Sequence, residues 1–165
     1  MRLTLIAFGK LKTPGLRDTA DYYLKLLRPW CGAQELELKA CEVPDKSEAT
    51  RRKIQEKEAA LLEEKLAQAL SSRGRFYLLD EAGKAEPTLD WAKRARSWED
   101  ESVPEIALCI GSSLGFAESI RRRAHGRLSL GPQTLSHELA RVVLLEQLYR
   151  SFSVLRGHPY HNEGS

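Results

Sequence analysis

Strand-like apolar runs alternate with stretches of helical spacing along the whole chain, and this alternation constrains the fold more than any other feature. Met1 to Phe8 alternates in a β-like way, a loop with Pro14 follows between Gly9 and Gly15, and Ala20, Tyr23, Leu24 and Leu27 give helical spacing from Leu16 to Leu27. Pro29 is expected to close that helix. Glu35 to Val43 reads as a second strand, with Leu36, Leu38 and Ala40 on one face and Pro44 ending it. From about Ala49 to Leu70 a charged helix carries an apolar stripe of Ile54, Leu61, Leu62, Leu66 and Leu70, with Arg51, Arg52 and Lys53 on its solvated side.

The second half repeats the pattern. Phe76 to Leu79 is a short apolar run ending at Asp80, the turn-like Ala82-Gly83-Lys84 follows, and Leu89 to Trp98 is helical. Glu105 to Ile110 reads as a buried strand, followed by Gly111-Ser112-Ser113-Leu114-Gly115, a short helix through Arg123, a strand around Leu128 to Leu130 and a loop with Pro132. Ser136 is the expected N-cap of a last long helix to about Leu155, with Glu138 in its first turn and Gly157 and Pro159 stopping it. Strands alternating with helices imply an α/β fold whose mostly parallel sheet is covered on both faces, with ligands gathered outside the strand carboxyl ends.

At 165 residues the expectation is a single domain, 1–165. No apolar run approaches the roughly 20 residues that span a bilayer, and Met1 to Gly9 lacks the features of a secretory signal, so a soluble cytoplasmic protein with no membrane partner is expected. Cys31, Cys41 and Cys109 are odd in number, far apart and without a CxxC pair, which reads as structural thiols. A net charge of +3, from 26 basic and 23 acidic residues, is too mild to name a partner.

The loop from Gly111 to Gly115 matches neither GxGxxG nor the phosphate-binding GxxxxGK[ST], so nucleotide hydrolysis is not expected. A glycine-bearing turn after a buried strand serves equally as a tight turn or as a place where backbone approaches a ligand. His158-Pro159-Tyr160-His161 gathers two imidazoles and a phenol beyond the last helix. A metal site is not expected there, because Pro159 breaks the register between the histidines and no cysteine or carboxylate cluster completes a ligand set; a polar untethered tail is the plain alternative. Arg121, Arg122, Arg123 and Arg127, with Lys93, Arg94 and Arg96, read singly as solvated faces. Arg141 and Arg150 interrupt an otherwise apolar helix, where a guanidinium needs a carboxylate, a phosphate or a partner subunit; Glu146 and Arg150 at i, i+4 can also form a simple ion pair. Apolar residues cover more than one face of that helix, which points to a homodimer interface.

Taken together, Ile110-Gly111, Gly115, Leu130 through Leu135, His137, Arg141, Glu146-Gln147-Leu148-Tyr149-Arg150 and His158-Pro159-Tyr160-His161 resemble the RlmH family of SPOUT-class ribosomal RNA pseudouridine N3-methyltransferases. Leu3 to Gly9, Leu79-Asp80 and Gly83-Lys84 fit as well, so the resemblance covers the chain end to end. It implies a SPOUT methyltransferase fold with a C-terminal trefoil knot, a homodimer whose subunits build each active site together, and 23S rRNA within the ribosome as substrate. It further implies that Leu79, Gly111, Gly115, Leu130, Gly131, Pro132, Gln133, Thr134 and Leu135 hold S-adenosyl-L-methionine, that His158, Tyr160, His161 and Arg150 are catalytic, and that no metal takes part. Two positions depart from the pattern: Ser112 stands where many relatives have glycine, and Glu138 where some have proline. The rival readings are a SPOUT enzyme for another RNA and a non-catalytic ribosome-binding or assembly factor of the same fold.

Overall fold

A computed structural model describes residues 1–161 of the chain. The strands are Arg2–Phe8 (β1), Gln34–Leu38 (β2), Arg75–Ala85 (β3), Glu105–Ile110 (β4) and Gly126–Ser129 (β5), and they form one sheet of order β2-β1-β4-β3-β5 in which every pairing is parallel. The helices are Leu16–Cys31 (α1), Glu48–Ala69 (α2), Thr88–Asp100 (α3), Glu118–Arg123 (α4) and His137–Leu155 (α5).

Alternation along the central strands explains the layering, because successive side chains point to opposite faces. Leu3, Leu5 and Ala7 of β1 and Ile106, Leu108 and Ile110 of β4 pack with α1, α3 and α5 on one face. Ile6 and Phe8 of β1 and Ala107 and Cys109 of β4 pack with α2 and α4 on the other. Both faces are therefore buried, as a parallel sheet requires. Cys31 and Cys109 belong to these cores; burial pushes the Cys31 thiol up to about 12 and Cys109 higher still, so both stay protonated, consistent with structural cysteines.

Three sequence expectations need correction. Pro29 does not end α1: it lies inside the helix, which continues until Gly32 takes a left-handed conformation and donates its N–H to the Arg28 carbonyl. Proline forfeits one helical hydrogen bond, but Trp30 stacks on Tyr149 of α5 at 4.9 Å and Cys31 is buried, and these contacts hold the last turn in place. β2 stops at Leu38 rather than Val43, since only that stretch finds a partner along β1. The Ala82-Gly83-Lys84 turn is a bulge inside β3, where Leu79 and Lys84 both oppose Leu128 of β5. Gly83 is needed there, because a Cβ would come within 2.7 to 2.8 Å of the Leu128, Arg127 and Asp80 backbone.

The connections position the site. The chain leaves β1, β3 and β5 toward helices on one face and leaves β4 toward α4 on the opposite face. β4 is flanked by β1 and β3. Loops that diverge from neighbouring strands open a crevice at their carboxyl ends, the usual ligand position in such sheets.

Candidate active site

That crevice is a cavity of about 540 Å³, within the range of roughly 300 to 1,000 Å³ that holds small ligands. Three strand ends build it. β3 contributes Leu79 and the bulge residues Asp80 and Glu81, β4 contributes Ile110 and the loop through Phe116, and β5 contributes Leu128 onward to the start of α5. Of the residues expected to hold a cofactor, Leu79, Gly111, Gly115, Leu130, Gly131, Gln133, Thr134 and Leu135 all line it. Pro132 does not line it and is an exposed residue of the loop. The loop is shaped by backbone more than by side chains: Gly131 has φ +136, and its N–H and carbonyl both bond the buried Ser129 hydroxyl, at 3.2 and 2.8 Å.

Residues not singled out as site members also face the cavity. Asp80 presents a carboxylate that is largely shielded, with Arg121 Nε 3.0 Å from Oδ2, yet that oxygen makes no well-directed hydrogen bond among the described residues. Asp80 closes the apolar run Phe76 to Leu79 and belongs to the Leu79-Asp80 pair of the family resemblance, the signals that could have pointed to it. Arg51 and Arg121 line the cavity as well. Arg51 lies on a helix face read as solvated, and only tertiary packing brings it here.

The first turn of α5 fastens the cavity to the sheet. Ser136 caps the helix by accepting from the Leu139 amide, at 3.2 Å. Arg141, fully buried, donates to Glu35 at 2.9 Å, Glu37 at 2.7 Å and the Gly9 carbonyl at 2.8 Å, so the partners its position demanded are carboxylates of β2. Glu138 accepts from Thr13 Oγ1 at 2.6 Å and from the Lys12 and Thr13 amides. The Thr13 hydroxyl, then the Lys12 amide, hold its carboxyl down at about 2, so it remains charged and pins the loop after β1 to α5.

The expected catalytic residues lie at the other end of α5. Arg150 pairs with Glu146 and stacks its guanidinium 4.8 Å from the centre of the Tyr160 ring. The Tyr160 hydroxyl donates to Glu146 at 3.2 Å and lies 3.4 Å from that of Tyr23. Burial, the Tyr23 contact and the Glu146 charge push the Tyr160 phenol well above its ordinary value, so it is a hydrogen-bond donor and not a base at neutral pH. His158 sits edge-on to Trp30 at 5.7 Å, and its Nδ1 accepts from the Tyr160 amide at 3.3 Å. His161 Nδ1 is shielded and has no hydrogen-bond partner among the described residues. The tail is thus ordered against α1 and α5, up to His161.

Within one chain these two groups do not meet. From His137 to Arg150 the helix advances roughly 20 Å at 1.5 Å per residue, and no tail residue lines the cavity. No group of His, Cys, Asp and Glu among the described residues could hold a metal ion. No helix among the described residues is long and apolar enough to cross a membrane.

A family model described as "Predicted SPOUT methyltransferase" matches residues 1–161. The chain belongs to the SPOUT methyltransferase family. A SPOUT relative from Streptococcus equi subsp. zooepidemicus, named "Ribosomal RNA large subunit methyltransferase H", is 38% identical over 98% of this chain and 99% of its own. One of the same name from Dechloromonas aromatica is 35% identical over 99% of this chain and 100% of its own. Among solved structures, a probable methyltransferase from Bordetella pertussis Tohama I superposes with a TM-score of 0.54 at 17% identity, covering 91% of this chain and 95% of that one, which supports the α/β methyltransferase fold. The SPOUT assignment makes the chain a methyltransferase, and the cavity at the strand ends is its candidate donor site.

Proposed function

We propose that the chain, acting as one domain over its whole length, methylates large-subunit ribosomal RNA, carrying a methyl group from S-adenosyl-L-methionine to N3 of a pseudouridine in 23S rRNA within the cytoplasmic ribosome. The observation that carries this reading is full-length similarity, at 35 to 38% identity, to relatives named for methylating large-subunit ribosomal RNA. The cavity fits the donor: its walls combine leucine and isoleucine side chains with exposed loop backbone, and Asp80 offers a shielded oxygen with unused hydrogen-bonding capacity. Leu79, Gly111, Gly115, Leu130, Gly131, Gln133, Thr134 and Leu135 would hold it. When bound, the cofactor supplies an electrophilic methyl group on a sulfonium.

The protein's own part is to orient the base and to manage the proton that leaves N3 as the N–CH₃ bond forms. Arg150, fixed by Glu146 and Tyr160, presents a permanent cation to the substrate's phosphate or carbonyl oxygens. Tyr160 keeps its proton, which the free protein gives to Glu146 and which would have to turn from that carboxylate to meet negative charge developing on the base. His158, whose Nδ1 accepts from the Tyr160 amide, and His161 are the imidazoles the tail offers for the departing proton. The roughly 20 Å between tail and cavity along α5 supports a homodimer in which one copy's tail completes the other's cavity. The return of the chain from β5 at one sheet edge to α5, whose Arg141 bonds β2 at the other edge, is compatible with the trefoil threading we propose for the C-terminal segment.

The test is a transfer assay with labelled S-adenosyl-L-methionine on ribosomes from a strain lacking the endogenous activity, with the product nucleoside identified by mass spectrometry. N3-methylpseudouridine is the expected product. A different methylated nucleoside would reassign the RNA target, and cofactor binding without transfer to ribosomes would leave a non-catalytic ribosome-binding factor.

A further inference from the structure

The cavity loop after β4 is held from behind by a polar stripe on α2. Residues 51, 55 and 58 share one face of that helix, being four and three positions apart. Gln55 Nε2 donates to the Leu114 carbonyl at 2.7 Å, and Arg51 Nη2 approaches the same oxygen at 3.4 Å. Glu58 accepts from Ser112 Oγ at 2.6 Å, and its other oxygen accepts from the Cys41 amide at 3.0 Å. One buried carboxylate, only 4% exposed, thereby ties the segment after β2, the helix and the cavity loop together. Ser112 Oγ also accepts from the Leu114 amide at 3.3 Å, so the hydroxyl closes the loop on itself while bonding the helix.

Burying a carboxylate costs free energy unless donors satisfy it, and an alanine at 58 would fit the apolar stripe of α2 without that cost. The carboxylate instead meets two donors that belong to loops. Ser112 lines the cavity, but its hydroxyl is committed to Glu58, which does not line it, so the side chain is anchored toward the helix.

We propose that Glu58 and Ser112 are a positioning pair for the methyl donor: their hydrogen bond sets the conformation in which the Gly111 to Gly115 backbone receives S-adenosyl-L-methionine. The inference rests on the donor-site reading given above. It predicts an effect on cofactor affinity separate from any effect on RNA or on the chemical step.

Calorimetric titration of the full chain with S-adenosyl-L-methionine, alongside the ribosome assay, tests it. Ser112→Ala should weaken cofactor binding by roughly tenfold, the low end of what one hydrogen bond to a charged group is worth. The loss should appear in cofactor affinity more than in the KM for ribosomes, and the melting temperature should fall by roughly a few degrees, because Glu58 loses one of its two donors. Ser112→Thr, which keeps the hydroxyl, and Glu58→Gln, which keeps an acceptor for Cys41 and a polar partner for Ser112, should recover most of the affinity. Glu58→Ala combined with Ser112→Ala should bind no more weakly than Glu58→Ala alone, because both remove the same bond. If Glu58→Ala does not fold, the Ser112→Ala and Ser112→Thr comparison decides alone. Unchanged affinity in Ser112→Ala, or a threonine variant as weak as the alanine one, overturns the pair while leaving the donor site intact. A wild-type chain that does not bind the cofactor overturns the donor-site reading itself, and the pair with it.

Discussion

The two ends of α5, beside the candidate donor cavity and at the proposed catalytic tail, are held in place by different means. At the first turn, Ser136 and His137 complete a cavity made largely of loop backbone, and buried bonds from Arg141 together with the Glu138 bonds lock those loops to the sheet. Past the last turn, His158 and Tyr160 are side chains propped on Tyr23, Trp30 and Tyr149, with Arg150 about one third exposed. A cavity that recognises a small ligand by shape needs its backbone rigid before the ligand arrives. Groups that act on a large substrate must instead stand at a surface where the substrate can reach them.

The contrast predicts that changes at the first end are felt in folding and cofactor affinity, and changes at the second in turnover. The largest stability effect is expected from Arg141→Ala, which takes the buried cation from Glu35 and Glu37, leaves them only the partly exposed Arg17 and should cost about 3 kcal/mol in urea unfolding. A loss below about 1 kcal/mol would remove the first half of the comparison.

Arg150→Ala should lower the turnover number on ribosomes by roughly a hundredfold, the scale of losing one charge-stabilising donor, with cofactor affinity unchanged by titration. Equal losses in affinity and turnover would mean that the two ends do not divide the work. Gly131→Val sharpens the other side: a branched side chain at φ +136 strains the loop by about 1 to 3 kcal/mol and should weaken cofactor binding about tenfold or more, with turnover at saturating cofactor little changed.

The smallest effect concerns the Glu138 latch. Its folded carboxyl titrates near 2 against an ordinary 4.5, because the Thr13 hydroxyl and Lys12 amide favour the charged form. A depressed folded value contributes stability that is fully present above about 4.5 and is lost as the pH falls toward 2. Wild type should therefore lose melting temperature faster than Glu138→Gln between pH 5 and about 2.5. Parallel curves would show that the latch carries no linked stability.

Much of the fold was legible because a strand buried on both faces reads as a short, nearly unbroken apolar run, while a helix keeps its apolar stripe. Glu105–Ile110 has the bounds the pattern predicts, and Ser136 caps α5 as its side chain and place before the apolar run suggest. The misreadings fall where tertiary contacts override local chemistry. Pro29 looks like a helix end until Trp30 meets Tyr149, and Gly83 looks like a turn until the neighbouring backbone of β5 is seen pressed against it. The site divides in the same way: most of the loop residues named from the family resemblance line one cavity, whereas nothing in the sequence announces that Arg51 reaches it too.

By itself, the order of short apolar runs and helical stripes determined the α/β class, the parallel sheet and the strand ends at which a ligand would sit, because burial on two faces makes a strand apolar throughout while burial on one gives a helix its stripe. Only the tertiary structure decided that Ser112 turns toward Glu58 and that Arg141 is satisfied by β2. It also decided that the tail stands a helix length away from the cavity. Those outcomes depend on contacts between residues as many as 106 positions apart, and local propensity carries no information about partners that distant.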